Sequence, residues 1–398
     1  MSTNTTTTIT RPRTAAGGSR ARRARVSAQA EVRDPREYLD NLSLARKEGW
    51  RDMVNAVPLE QPESLSVKEI RMLSNDARDE YNDRRNRWHA QMGTIMTGEC
   101  RSVLEQLEDA IKANPKTGAD CKPMLALSGL PGLGKSTVAH LFGARYHQQQ
   151  IAKYGPFTPS GDERWPVCRV GMTGTTGVGE FMAAVCSFYA HPGYRSAKAR
   201  DLSSYALDCV SSCATHLLII DNLHFLHGRY RTMPELSNQF KSIADDFGVT
   251  VLFIGIGLHE RHALLDDYGK YKDHEMEQLL RCAAPVDMSP FNVDCKIGRE
   301  QWHYLLRTLE QRLMLARKHP GMLAVDLSDY LFIRSTGHIG SLMNLLRLGC
   351  QKAMRTGTET LTAELLDKCR IDSAAELGRR ELAAAFRTGK KTTKMSGQ

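Results

Sequence analysis

The chain has 398 residues, a net charge of +9 at pH 7 and 41% hydrophobic residues, enough for two domains or one with large additions. No apolar run approaches the ~18 residues that a membrane span needs, and Met1-Ser2-Thr3-Asn4 leads into Thr and Arg rather than an apolar signal core. The ten cysteines include no C-x-x-C pair, and Cys209 and Cys213 lack a His-x-x-x-His partner, which argues against zinc and for reduced thiols in a cytoplasmic protein.

In chain order, residues 1–34 are expected to be a disordered arm. The first thirty hold no acid and carry Arg11, Arg13, Arg20, Arg22, Arg23 and Arg25, suited either to gripping a phosphate backbone or to solvation alone. Residues 35–118 predict a charged helical extension packing on the next domain. Ser66-Val67-Lys68-Glu69 reads as a capping box, and Tyr81 and Trp88 share a helix face. Residues 119–290 alternate strands and helices, which predicts an α/β core with a parallel sheet. Strands are expected at 124–127, 167–172, 215–221, 249–255 and 284–288, the third uniformly apolar and so central. Residues 291–372 predict a separate helical lid, with helices at 301–315 and 339–354 and a further capped one from 360. Residues 373–398 form a basic tail, expected to fray from Arg379 onward through Lys390, Lys391 and Lys394.

Chemistry concentrates in the core. Gly129-Leu130-Pro131-Gly132-Leu133-Gly134-Lys135-Ser136 matches the P-loop, G-x-x-x-x-G-K-[ST], between a strand and a helix. The glycines tolerate positive φ, so backbone N–H groups can turn inward around phosphates, helped by the dipole of the following helix, which Thr137 is expected to open. Lys135 would reach the β- and γ-phosphates, and the Ser136 hydroxyl would hold Mg²⁺. Leu217-Leu218-Ile219-Ile220-Asp221 is the second signature: Asp221, at a strand tip, would complete the Mg²⁺ shell opposite Ser136. ATP and Mg²⁺ are therefore the expected cofactors. The next residue is Asn222, where hydrolytic relatives of this architecture carry a Glu; Asn can orient a water but cannot take its proton. His224 could compensate, or hydrolysis could be slow and the protein act as an ATP-loaded switch.

Five strands and a helical lid carrying these motifs resemble an AAA+ ATPase. Asp221-Asn222-Leu223-His224-Phe225-Leu226-His227, the following 236–241 and Leu252-Phe253-Ile254-Gly255 resemble the TniB/TnsC transposition ATPases, as does the segment from Ser335-Thr336-Gly337-His338-Ile339-Gly340 to Leu346. The resemblance covers about residues 120–370. It implies ATP-dependent homo-oligomeric assembly on duplex DNA, without sequence preference, and regulation of an integrase-like transposase. It also implies an arginine finger, which falls on Arg281, reaching nucleotide on a neighbouring subunit. Two positions depart from the pattern: Ile256 and Gly257 stand where a polar sensor is usual, and Gly337-His338-Ile339-Gly340 lacks the lid arginine, leaving His338 and Arg334 as the nearest polar candidates.

Candidate DNA contacts are the loop Thr173-Gly174-Thr175-Thr176-Gly177, the pair Arg229 and Arg231, and the group Arg195, Lys198 and Arg200, the basic groups also readable as solvated surface. Rival readings are a helicase loader or initiator-type ATPase, a P-loop kinase of a small metabolite, and a non-hydrolysing signalling switch.

Overall fold

The computed structural model describes residues 43–114, 122–173, 176–223, 240, 242–258 and 283–395. The arginine arm, His224, Arg229, Arg231 and Arg281 lie outside the described residues.

Strands β1 (Met124–Gly129), β2 (Val167–Gly171), β3 (Leu217–Asp221), β4 (Thr250–Ile254) and β5 (Ala283–Met288) form one parallel sheet in the order β2-β3-β4-β1-β5. Their positions match the sequence expectation to within two residues. β3 and β4 are buried at every position, as strands covered by helices on both faces must be, and their Leu/Ile/Val/Phe runs supply that surface. β5 is only half buried, at Ala283, Val286 and Met288, and carries Pro285, which an edge strand tolerates because no outer neighbour needs its N–H. Among the described residues, no helix is long and apolar enough to cross a membrane.

The helices are α1 (Lys47–Asn55), α2 (Val67–Met72), α3 (Asn75–Ala90), α4 (Gly98–Ala113), α5 (Lys135–Tyr154), α6 (Val178–Phe188), α7 (Ala199–Ser212), α8 (Lys296–Arg312), α9 (Ser328–Ser335), α10 (Ile339–Thr356), α11 (Ala363–Asp367) and α12 (Ser373–Arg387). The capping box at Ser66 and Glu69 forms in full. Thr362 caps α11 by accepting from Leu365 N–H.

Two apolar cores result. One surrounds the sheet and takes in Trp50 of α1 and Val103, Leu104 and Leu107 of α4. The other fills the lid, from Trp302 and Leu306 to Leu345 and Leu366, and includes Met92 and Ile95. The helical extension is thus shared between two bodies rather than packed on one. α1 and α4 sit on the core, whereas α3 is fixed to the lid: Arg85 forks onto Glu359 at 2.7 and 3.0 Å, and Trp88 Nε1 donates to Arg312 O at 2.6 Å. The chain therefore crosses between core and lid twice, around residues 56–65 and again at 91–97.

As far as residue 395, the segment expected to fray is packed instead. α12 packs Phe386 on Phe332, and Thr393 is fully buried, bonding Asp329 with its N–H and hydroxyl. Lys391 pairs with Asp294 at 2.7 Å. The lysines suggested a solvated tail, but the apolar stripe of α12 and this strap behind it set the outcome.

Candidate functional site

The P-loop leaves β1 at the C-terminal edge of the sheet, where open α/β sheets bind ligands. Gly129, Gly132 and Gly134 have φ of +142°, +76° and +90°, values that L side chains rarely adopt. Gly134 is the N-cap of α5, so the helix opens at Lys135, two residues earlier than expected. In this arrangement Lys135 Nζ donates to Gly129 O and Leu130 O at 2.8 and 2.7 Å, and burial pulls its pKa below the ordinary lysine value, partly offset by Asp221. These are two carbonyls that an anion in the loop would have to replace as partners.

β4 lies between β1 and β3, yet the two signatures converge: Ser136 Oγ donates to Asp221 Oδ1 at 3.1 Å. Asp221 is 4% exposed, and Asn222, at φ +62°, turns its backbone N–H onto the same Oδ1 at 2.9 Å. Asn is among the few residues that adopt this left-handed conformation readily. A hydroxyl and a carboxylate at this spacing are hard oxygen donors of the kind Mg²⁺ takes, so the residues fit that metal. Around them lies a cavity of about 280 Å³ lined by Gly132, Lys135, Ser136, Asp221, Asn222 and Ile256. Ile256, two residues past the end of β4, is an apolar member of that lining.

Two neighbours of Asp221 were not anticipated. Arg169 of β2 donates Nη2 to Asp221 Oδ2 at 2.8 Å. His140, four residues after Ser136 on α5, has a buried Nε2 with no hydrogen bond, 4.0 Å from the same Oδ2. Burial, then the Arg169 charge, pushes its pKa down to about 4, so it is neutral at pH 7. A signal for Arg169 existed: a charged residue inside the apolar run Val167-Cys168-Arg169-Val170 needs a buried partner.

Behind the P-loop, a cleft of about 780 Å³ separates core from lid. Leu133, Gly134 and Thr137 form one wall, the crossing Met92-Gly93-Thr94-Ile95 another, and Ile339, Met343 and Arg347 of α10 a third. The lid touches the loop directly, because Gly340 N–H donates to Gly132 O at 2.8 Å. A Cβ on Gly340 would lie 2.8 Å from that same oxygen, so a side chain, arginine included, cannot stand there with the lid in this position.

The remaining candidates sort as follows. Arg334 is no phosphate sensor: it is 1% exposed and spent on Tyr330, Leu366 O, Cys369 O and Glu376. His338 is engaged with Thr336. In the Thr173–Gly177 loop, Thr176 is buried and its Oγ1 accepts from Thr173 N–H at 2.8 Å, so that hydroxyl is turned inward; 174 and 175 lie outside the described residues. Arg195, Lys198 and Arg200 are exposed, Arg195 resting on Tyr194 and Arg200 near Asp201.

Residues 85–268 match the model of the family described as Bacterial TniB protein. No curated protein matches the chain. Among solved structures, the Aeropyrum pernix ORC2 protein (ADPNP-ADP complexes) is similar at 13% identity, covering 78% of this chain and 86% of that one, with a TM-score of 0.50. Cdc6p from Pyrobaculum aerophilum covers the same shares at 11% identity with a TM-score of 0.48. The Aeropyrum pernix ORC1 protein in complex with DNA covers 77% of this chain and 72% of that one at 15% identity, TM-score 0.48. At such identities the likeness to the ORC2 protein is one of fold alone: a parallel-sheet α/β core with a helical C-terminal region.

Proposed function

We propose that this TniB-like AAA+ ATPase binds ATP with Mg²⁺, assembles in that state on duplex DNA without sequence preference, and regulates an integrase-like transposase from the cytoplasm. The observation that carries the nucleotide reading is the 3.1 Å approach of Ser136 Oγ to Asp221 Oδ1, beside a loop whose glycines have left-handed φ.

In this reading the N–H groups of residues 130–136 receive the phosphates, and Lys135 leaves its two carbonyl partners for the β- and γ-phosphates. Ser136 and Asp221 would hold Mg²⁺, which would supply neutralisation of phosphate charge. The base and ribose enter the cleft between Thr137, the Met92–Ile95 crossing and Ile339. Asn222 orients water without accepting its proton, so hydrolysis is slow unless a partner supplies a base. Arg281 of one subunit reaches the nucleotide of its neighbour, which makes assembly depend on ATP. The DNA part rests on the TniB match, the net charge of +9 and the acid-free arginine arm.

The experiment pairs sizing in ATP and in ADP with turnover measured with and without duplex DNA. ATP-dependent assembly on DNA, lost in Lys135→Ala and in Arg281→Ala, is the expected result. Nucleotide binding without assembly or DNA association would overturn the regulator reading and favour a small-molecule kinase.

A further inference from the structure

The partners of Asp221 are unusual for a carboxylate meant to meet a divalent cation. Oδ1 accepts from the Ser136 hydroxyl and the Asn222 N–H, while Oδ2 carries the Arg169 guanidinium at 2.8 Å. The pair is sheltered, with side-chain exposures of 16% for Arg169 and 5% for Asp221. The fold makes room for it. Gly171 pairs in register with Asp221, and the guanidinium lies over Gly171, where a Cβ would come within 3.3 Å of Nη1. Lys135 also faces Asp221 but gives its Nζ to Gly129 O and Leu130 O, and His140 Nε2 stands off at 4.0 Å without a hydrogen bond, so Arg169 is the cation hydrogen-bonded to Oδ2 among the described residues.

We propose that Arg169 is a resident monocation of the phosphate site, which fixes the Asp221 carboxylate and weakens Mg²⁺ there. A guanidinium on Oδ2 already neutralises the charge that draws the metal, and it repels a second cation across a distance too short for salt to screen. Ser136 and Asp221 would then hold a divalent cation firmly only together with phosphate oxygens. The same positive charge favours nucleotide phosphates in the absence of metal. Arg169 is a positioning residue in the first role and an electrostatic one in the second. This inference rests on the nucleotide reading above.

The test is binding of N-methylanthraniloyl-ATP to the full chain, in EDTA and over a magnesium chloride series, for wild type, Arg169→Met and Arg169→Lys. Wild type is expected to bind in EDTA within a few-fold of its affinity in magnesium. Arg169→Met should widen the EDTA-to-magnesium affinity ratio on the order of tenfold and lower the half-saturating magnesium concentration by a similar factor, the worth of one sheltered charge pair. Arg169→Lys keeps the charge and should keep the wild-type profile. If Arg169→Met weakens binding equally in both conditions, the residue is a structural prop and the inference fails while the nucleotide reading stands. If wild type binds in neither condition, the nucleotide reading itself fails. Should Arg169→Met not fold, Arg169→Gln preserves a hydrogen bond without charge and carries the same expectation.

Discussion

The core and the lid hold their share of the N-terminal extension by different physics. α1 is attached to the core by apolar insertion: Trp50 is fully buried over Gly143 of α5, where a Cβ would come within 2.8 Å of the indole and 3.0 Å of Ile219. α3 is attached to the lid through buried charge. Arg85 and Glu359 are 1% and 2% exposed, Glu359 also accepts from Ala316 N–H at 3.1 Å, and His89 Nε2 accepts from Met314 N–H at 2.9 Å. Apolar contact tolerates small losses by relaxing, whereas a buried charge deprived of its partner has no cheap refuge. The two attachments should therefore fail differently, although both flank one cleft.

The largest effect is expected at Glu359→Ala, which strands the Arg85 charge and should cost about 3–5 kcal/mol of lid stability. Hydrogen exchange would show lid amides losing protection ahead of those of β3 and β4. The double variant Arg85→Met/Glu359→Leu should recover most of the loss, since an apolar pair of similar volume is often neutral; no recovery would mean the pair specifies the lid's position rather than merely avoiding a penalty. On the core side, Gly143→Ala should cost about 1–3 kcal/mol by overpacking, with the sheet losing protection first.

Acid tests both attachments at once. Burial pushes His89 and His147 to about 4, with the Arg85 charge adding to the shift at His89. Both accept hydrogen bonds that require the neutral ring, His147 Nδ1 from Trp50 Nε1 at 3.3 Å. Their folded pKa values lie below the unfolded value of about 6.5, so the unfolded chain binds more protons between the two. Stability is full above pH ~6.5 and falls as pH drops toward 4, by about 1.4 kcal/mol per pH unit for each histidine. His140 at the phosphate site, also pushed to about 4 by burial, adds a third such contribution. Denaturant midpoints from pH 7 to 5 should show the combined slope, and His89→Gln should remove about a third of it.

What was legible in the sequence follows the same division. The P-loop and Asp221 are written as local patterns because a backbone turn around an anion needs glycine at fixed places and a strand tip needs an acid at a fixed one. The strands followed from apolar runs. Arg169 and His140 were missed because they meet Asp221 only through the β2–β3 register and the helical repeat of α5. The lid junction joins residues 274 apart, Arg85 and Glu359, and no local pattern encodes it. Arg334 misled for the converse reason: its place beside the lid motif suggested phosphate, but burial among carbonyls and Glu376 occupies both of its terminal Nη groups.

The smallest change tests whether core and lid communicate through the P-loop. Gly340 is the second residue of α10 and has no left-handed φ, so alanine suits its backbone and should gain about 1 kcal/mol of helix propensity. Its Cβ would nevertheless press on Gly132 O, which is backbone and can yield only by moving the loop or the lid. The two effects oppose each other in stability but not in function. Gly340→Ala should therefore leave the melting temperature within about 2 °C of wild type while weakening nucleotide binding about fivefold, on the order of 1 kcal/mol. Equal affinity in the variant would mean that the 2.8 Å contact is incidental and that the lid senses nucleotide only through the walls of the larger cleft.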